Sequence, residues 1–189
     1  MITIMSPMDE RTVRDLRIGQ IVYVSGTVVT GRDEMHMRVL SSGDAPKDLN
    51  GATLFHCGPI MRKEGNEWTA VAAGPTTSAR MNTMGTEMIR RFRIRAIIGK
   101  GGMSDDVLNE MRETGCVYLA AVGGAAVSLA EGLKRVIGTE YDDLGMAEMM
   151  WIFEAERLGP LVVAMDADGN SIYNEVNSRI KERIEGLHS

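Results

Sequence analysis

Short apolar runs recur along the chain, separated by polar stretches rich in glycine, proline and charge. Ile21-Val22-Tyr23-Val24-Ser25-Gly26-Thr27-Val28-Val29 is dense in β-branched residues and predicts one or two strands. Shorter runs at Thr53 to Cys57, Trp68 to Ala73, Ala96 to Ile98, Lys134 to Tyr141 and Leu161 to Asp166 predict further strands. Val117 to Val122 is apolar throughout, as in a sheet covered on both faces. Glu148 to Glu156 fits a strand or a helix, and the alternation of Trp151 and Phe153 with Ile152 favours strand. Helical spacing sets Met84, Met88, Ile89 and Phe92 on one stripe, and Val176, Ile180, Ile184 and Leu187 on another, the latter predicting a packing helix over Glu175 to Leu187. Further helices are predicted over Asp9 to Leu16, from a cap at Thr30 or Asp33 to about Ser41, from Ser104 or Asp105 to about Thr114, and from Gly123-Gly124 to near Gly132. Gly58-Pro59, Gly74-Pro75 and Gly159-Pro160 each end a run, Gly43 to Gly51 is a loop, and the turn at Lys63 to Asn66 lets its flanks pair as a hairpin. Strands interleaved with helices give a mixed α/β domain.

Composition narrows the chemistry. The 189 residues fit one domain spanning 1–189, with room for two small ones. A net charge of −5 exerts no general pull toward nucleic acid or an anionic membrane, so a site for an anion needs a local positive field. Arg90, Arg91, Arg93 and Arg95 read as a solvated helix end, with no interleaved aromatics to suggest nucleic acid. Cys57 and Cys116 stand far apart, with neither a CxxC nor a Cys/His cluster that would suit zinc. Two thiolates are also too few for the usual ligand set of an iron–sulfur cluster. Cys116 reads as a packing residue, and the fifteen methionines as core fillers. Met1 to Glu10 ends in an acidic pair and has no long apolar core, so no signal peptide is expected. No run approaches the roughly 20 apolar residues of a membrane span, and the expected location is cytoplasmic.

Three loops carry a cation between a strand and a helix. In Gly74-Pro75-Thr76-Thr77-Ser78-Ala79-Arg80, any of the three hydroxyls can cap a helix beginning near Ala79, whose free N–H groups and first-turn Arg80 would form an anion site. The arginine fork matches a carboxylate, although an ordinary capped helix with a surface arginine explains the stretch alone better. Thr30-Gly31-Arg32-Asp33 repeats the arrangement, with Arg32 at the helix entrance. His36 beyond it fits a general acid or base, a carboxylate donor or a satisfied structural histidine. Gly99-Lys100-Gly101-Gly102 lacks the Walker A spacing; its glycines would let backbone approach a ligand while Lys100 projects as a point charge. His56 and Cys57 are adjacent on a strand, so they face opposite ways, and no third group orients them as a nucleophilic pair. Ligands of α/β sheets collect at the carboxyl ends of strands, where Arg32, Arg80 and Lys100 would converge on a small dicarboxylate.

TGRDEMH, FHCGPI, GPTTSARMN, GKGGM, YLAAVGGAA, LGMAEMMW and GPLVVAMDADGNSIY follow one another in that order. Together they resemble the β subunit of two-subunit class I fumarate hydratase, in the same family as the β subunit of L-tartrate dehydratase. The likeness runs from about Leu16 to Glu175. Gly31 before Arg32 looks more like the fumarase, since a cysteine often precedes the arginine in the tartrate enzyme. The resemblance implies a swivelling β/β/α domain and a hetero-oligomer with an α subunit that carries an oxygen-sensitive 4Fe–4S cluster on three cysteines. This chain would bind no cofactor of its own. It would supply Arg32 and Arg80 to grip carboxylates, Lys100 to add charge and Thr76 to transfer a proton at the substrate carbon, with Thr77, Asp33 and His36 around them. The activity implied is reversible hydration of fumarate to L-malate. Tartrate dehydration and a non-catalytic anion-binding assembly module are the alternatives.

Overall fold

The computed structural model describes residues 2–42 and 49–187; most of the predicted loop from Gly43 and the side chain of Leu187 lie outside the described residues. The chain forms β1 (Ile2–Ser6), α1 (Glu10–Arg14), β2 (Ile21–Thr30), α2 (Asp33–Ser42) and β3 (Thr53–Phe55), then a hairpin of β4 (Ile60–Glu64) and β5 (Glu67–Ala72). A 3₁₀ turn at Ser78–Met81 leads into α3 (Asn82–Phe92), followed by β6 (Ala96–Gly99), α4 (Asp105–Thr114), β7 (Val117–Ala120) and α5 (Ala126–Glu131). β8 (Leu133–Glu140), β9 (Met150–Met165) and α6 (Ile172–Leu187) complete it.

The larger sheet has the order β1-β2-β3-β6-β7-β9-β8, and β9 also pairs with β2. This second pairing closes β2, β3, β6, β7 and β9 into a ring. Alternate residues of each strand then point into or out of it. Phe55, Ile98, Leu119 and Phe153 join one buried cluster. Their neighbours Leu54, Ile97, Tyr118 and Ile152 join another with Met35, Met88, Ile89, Val107 and Met111 of α2, α3 and α4. The hairpin and α5 add Trp68, Ala70 and Leu129 to the first cluster. The architecture is a mixed sheet with flanking helices, as the interleaved pattern predicts.

Four expectations are corrected. Gly159-Pro160 does not divide the C-terminal strand region: β9 runs unbroken for 16 residues. Its proline falls where the register with β2 shifts, between the Val22–Leu161 and Val24–Leu158 pairs, so the missing N–H costs no regular ladder bond. Ile2 to Ser6, given no element by the sequence pattern, pairs in parallel with β2. Arg95 is not solvated: its side chain is 8% exposed, and it donates to the carbonyls of Thr114 and Gly115 at the end of α4 and pairs with Glu10 at 3.3 Å. Lastly, Val176, Ile180 and Ile184 of α6 are 47–50% exposed, so this helix is not packed along the predicted face.

Candidate functional site at the strand ends

The parallel strands β2, β3, β6 and β7 finish level with one another. Thr30 pairs with Phe55, Phe55 with Ile98, and Gly99 with Ala120. The loops that follow therefore leave from one edge, where the sequence-predicted residues are found.

The Gly74–Ser78 loop is stitched to this edge by its backbone. Thr76 N–H donates to the His56 carbonyl at 2.7 Å, Ser78 N–H to the Lys100 carbonyl at 3.0 Å, and Lys100 N–H to the Thr76 carbonyl at 3.3 Å. Cys57 bridges Pro75, and Thr77 bridges Lys100. Thr76 is half-buried, whereas Thr77 and Lys100 are exposed. The structure thus unites the second and third cationic loops without a regular strand.

Arg80 lies in the 3₁₀ turn, not in the first turn of an α-helix. Thr77 is its N-cap residue but makes no side-chain capping bond, and Ser78 is turned inward. The anion site expected from a capped helix is therefore absent as such, and Arg80 acts through its own fork. Its Nη2 donates to Asp33 Oδ2 at 2.6 Å. Asp33 opens α2 next to Arg32, so this ion pair joins the first loop to the second. Thr30, one of the two predicted caps of α2, instead accepts from the Trp151 N–H at 3.1 Å.

Arg32 meets Glu148 at 3.2 Å (Nε to Oε1), and the other oxygen of Glu148 accepts from the Glu34 N–H at 3.1 Å. The Arg32 pair is close but not aligned as a hydrogen bond, so the buried Nε–H lacks an acceptor. Gly58 makes room for the arginine stem: a Cβ there would stand 2.9 Å from Arg32 Cδ. Among the described residues, Arg32 meets the carboxylate of Glu148 and Arg80 that of Asp33, while each guanidinium carries five N–H donors. A guanidinium fork can take a carboxylate, and Lys100 is carried on the loop that Thr77 bridges.

His36 and His56 are both 1% exposed. His36 Nδ1 donates to the Arg32 carbonyl at 2.7 Å, because the carbonyl can only accept. The two rings meet edge to face, 5.1 Å apart. Burial pushes both imidazoles below their ordinary value, His56 further, where the neighbouring His36 ring adds to the effect; the Arg32 carbonyl and Asp33 partly oppose it at His36. Of the three roles open to His36, its burial and its bond to the Arg32 carbonyl fit the structural one. Burial likewise pushes the Cys57 thiol up to about 12 and Cys116 higher still. The two cysteines belong to separate hydrophobic clusters. Both thiols are buried and apart, and two are fewer than the usual ligand set, so this donor set does not fit a cluster.

Sequence reasoning gave Glu148 and Tyr118 no role beyond their predicted strands, and Ser78 only that of a helix cap. Glu148 is far from Arg32 along the chain and carries no local signal. Ser78 was visible as a hydroxyl, but its inward direction depends on β3 and β7.

The family model described as Fumarase C-terminus matches residues 1–176. The chain is 45% identical over 185 residues to a Methanocaldococcus jannaschii protein provisionally named L(+)-tartrate dehydratase subunit beta, covering 95% of each. It is 35% identical to the L(+)-tartrate dehydratase subunit beta of Escherichia coli K12, covering 94% of this chain and 89% of that one. It is 40% identical to a Geobacillus stearothermophilus protein provisionally named class I fumarate hydratase, covering 97% of this chain but 35% of that protein. With its motifs, its ring of strands and its cation-bearing loops on one edge, the chain belongs to the fumarase C-terminus family.

Proposed function

We propose that this chain is the β subunit of a hydro-lyase that reversibly hydrates fumarate to L-malate and acts only in a hetero-oligomer with an α subunit. One observation carries the proposal: Arg32, Thr76, Arg80 and Lys100 leave a single sheet edge on loops tied together by backbone bonds and by the Arg80–Asp33 pair. Charged hydrogen bonds contribute about 1.5–3 kcal/mol each, so two forks and an ammonium suffice to hold a small dicarboxylate.

In this mechanism Arg32 and Arg80 grip the two carboxylates, while Lys100 and Thr77 bind from the loop edges. Asp33 keeps Arg80 oriented, and His36 ties down the Arg32 carbonyl. The Thr76 hydroxyl gives a proton to the substrate carbon in hydration and removes it in dehydration. A threonine alkoxide is far too basic to form unaided, so the neighbouring cations must stabilise it. A 4Fe–4S cluster held by the α subunit would supply the Lewis acid for the hydroxyl half of the reaction.

L(+)-tartrate dehydration is the second reading, favoured by the names of the relatives whose length this chain matches. On the other side stands Gly31, a buried glycine where the tartrate enzyme often has a cysteine. Anaerobic reconstitution with a cluster-bearing α subunit decides between them. Consumption of fumarate absorbance is expected. Turnover of L(+)-tartrate without malate would transfer the assignment. Dicarboxylate binding by the isolated chain, with neither activity, would leave an anion-binding assembly module.

A further inference from the structure

Beneath the Thr76–Arg80 loop lies a buried polar chain that the proposed mechanism does not use. Tyr118 O–H donates to Ser78 Oγ at 2.9 Å, and Ser78 Oγ lies 2.8 Å from His56 Nδ1. Ser78 and Tyr118 are fully buried, and His56 nearly so. Ser78 Oγ has a single proton and, with Tyr118 as donor in the other bond, Nδ1 of His56 is the acceptor that the described contacts offer it. A Ser78 O–H donating there places the imidazole's own proton on Nε2. The environment agrees, since burial holds His56 neutral and raises the Tyr118 phenol.

The position of this chain matters more than its composition. His56 supplies its carbonyl to the Thr76 N–H and its ring to the Ser78 hydroxyl, so one residue at the end of β3 holds the loop at two points. Tyr118 holds Ser78 from β7 on the far side of β6. Gly99 of β6 lies between, and a Cβ there would stand 2.0 Å from Ser78 Oγ. Backbone bonds hold Thr76 at its N–H and its carbonyl, and the Ser78 side chain adds a buried anchor two residues on that fixes the segment carrying the Thr76 hydroxyl. Arg80 has its own anchor in Asp33.

We infer that Ser78, held between His56 and Tyr118, is the positioning residue for the Thr76 hydroxyl, and that His56 serves as a hydrogen-bond acceptor at Nδ1. The inference rests on Thr76 being the proton-transfer group of the proposed reaction. Misplacing a reacting group by about 1 Å costs on the order of 10²-fold, and substrate binding through Arg32, Arg80 and Lys100 persists.

The test uses the reconstituted complex for kinetics and the full chain alone for amide hydrogen exchange. Ser78→Ala is expected to lower kcat by roughly 10²-fold and move KM by less than about threefold. His56→Asn, whose amide oxygen replaces Nδ1 as acceptor, is expected to restore most of the turnover that His56→Leu loses. Exchange at Thr76, Ser78 and Lys100 should accelerate in Ser78→Ala and stay slow in His56→Asn. Tyr118→Phe, which removes one donor and keeps the ring, gives the same kcat test if Ser78→Ala fails to fold. Unchanged kcat, a loss confined to KM, or His56→Asn as impaired as His56→Leu would each overturn the inference. If the wild-type complex hydrates nothing, the proposed function fails separately. The exchange pattern still decides whether the chain holds the loop.

Discussion

Gly99→Ala perturbs the site by one methyl group. Gly99 is buried and its φ lies outside the left-handed region, so the backbone tolerates alanine and the effect is steric. The new Cβ would stand 2.0 Å from Ser78 Oγ, 2.8 Å from the Tyr118 hydroxyl and 3.3 Å from Ser78 Cβ. The serine oxygen must retreat by roughly 1 Å or more to reach ordinary contact. It cannot do so and keep both its short bonds, to His56 and Tyr118. Overpacking costs about 1–3 kcal/mol. A buried polar group left unsatisfied adds about 1–3 kcal/mol. The expected destabilisation is therefore about 2–6 kcal/mol, set against the stability of about 5–15 kcal/mol of an ordinary folded domain. Urea unfolding of the chain measures it, and anaerobic turnover of the complex should fall by roughly 10²-fold. The Gly99→Ala/Ser78→Ala double variant supplies the control: removing Oγ relieves the overlap, so the two costs should be strongly non-additive. Full additivity, or a single variant with the wild-type midpoint and turnover, would refute the steric reasoning.

Three further outcomes are expected. Arg80→Lys keeps the charge but loses the planar fork, so kcat/KM should fall by about 10²-fold while the unfolding midpoint holds; near wild-type kinetics would show that a point charge suffices. Arg95→Met strands the Thr114 and Gly115 carbonyls and leaves Glu10 without this partner, and urea titration should show a loss of about 2–4 kcal/mol, whereas a change near zero would mean water replaces the guanidinium. The third concerns pH: His36 and His56 have folded values below the ordinary 6.5, so the unfolded chain binds more protons as the medium acidifies. Their contribution is complete above about 6.5 and is lost as pH falls below it, at no more than about 1.4 kcal/mol per histidine per pH unit. Unfolding curves between pH 7.5 and 5.5 test this, and a His56→Asn chain with the same slope as wild type would remove His56 from the account.

Much of the site was legible because its signals are local. A strand followed by Gly-Pro and three hydroxyls, or by glycines and a lysine, announces a loop at a strand end, and each such loop carried its cation. The continuous apolar run from Val117 likewise announced a strand buried on both faces. Where local signals misled, a distant partner had overruled them. Arg95 sits in a basic run that suits a solvated helix end, yet the carbonyls at the end of α4 draw it inside. Ser78 has a good capping side chain, yet His56 and Tyr118 offer it two buried bonds. The apolar stripe of α6 has the period of a packing helix, but periodicity specifies a face and not what covers it.

The sequence by itself determined the interleaved α/β order, the three cationic loops and, through its ordered motifs, the family. Tertiary structure alone decided that β9 closes the strands into a ring, that Glu148 lies beside Arg32, and that a buried serine beneath the loop is held from two strands. The physical reason is range. Turn chemistry and side-chain period act over a few residues, so the chain encodes them where they occur. Ion pairs and buried hydrogen bonds depend on which distant segment arrives opposite, and only the folded backbone sets that.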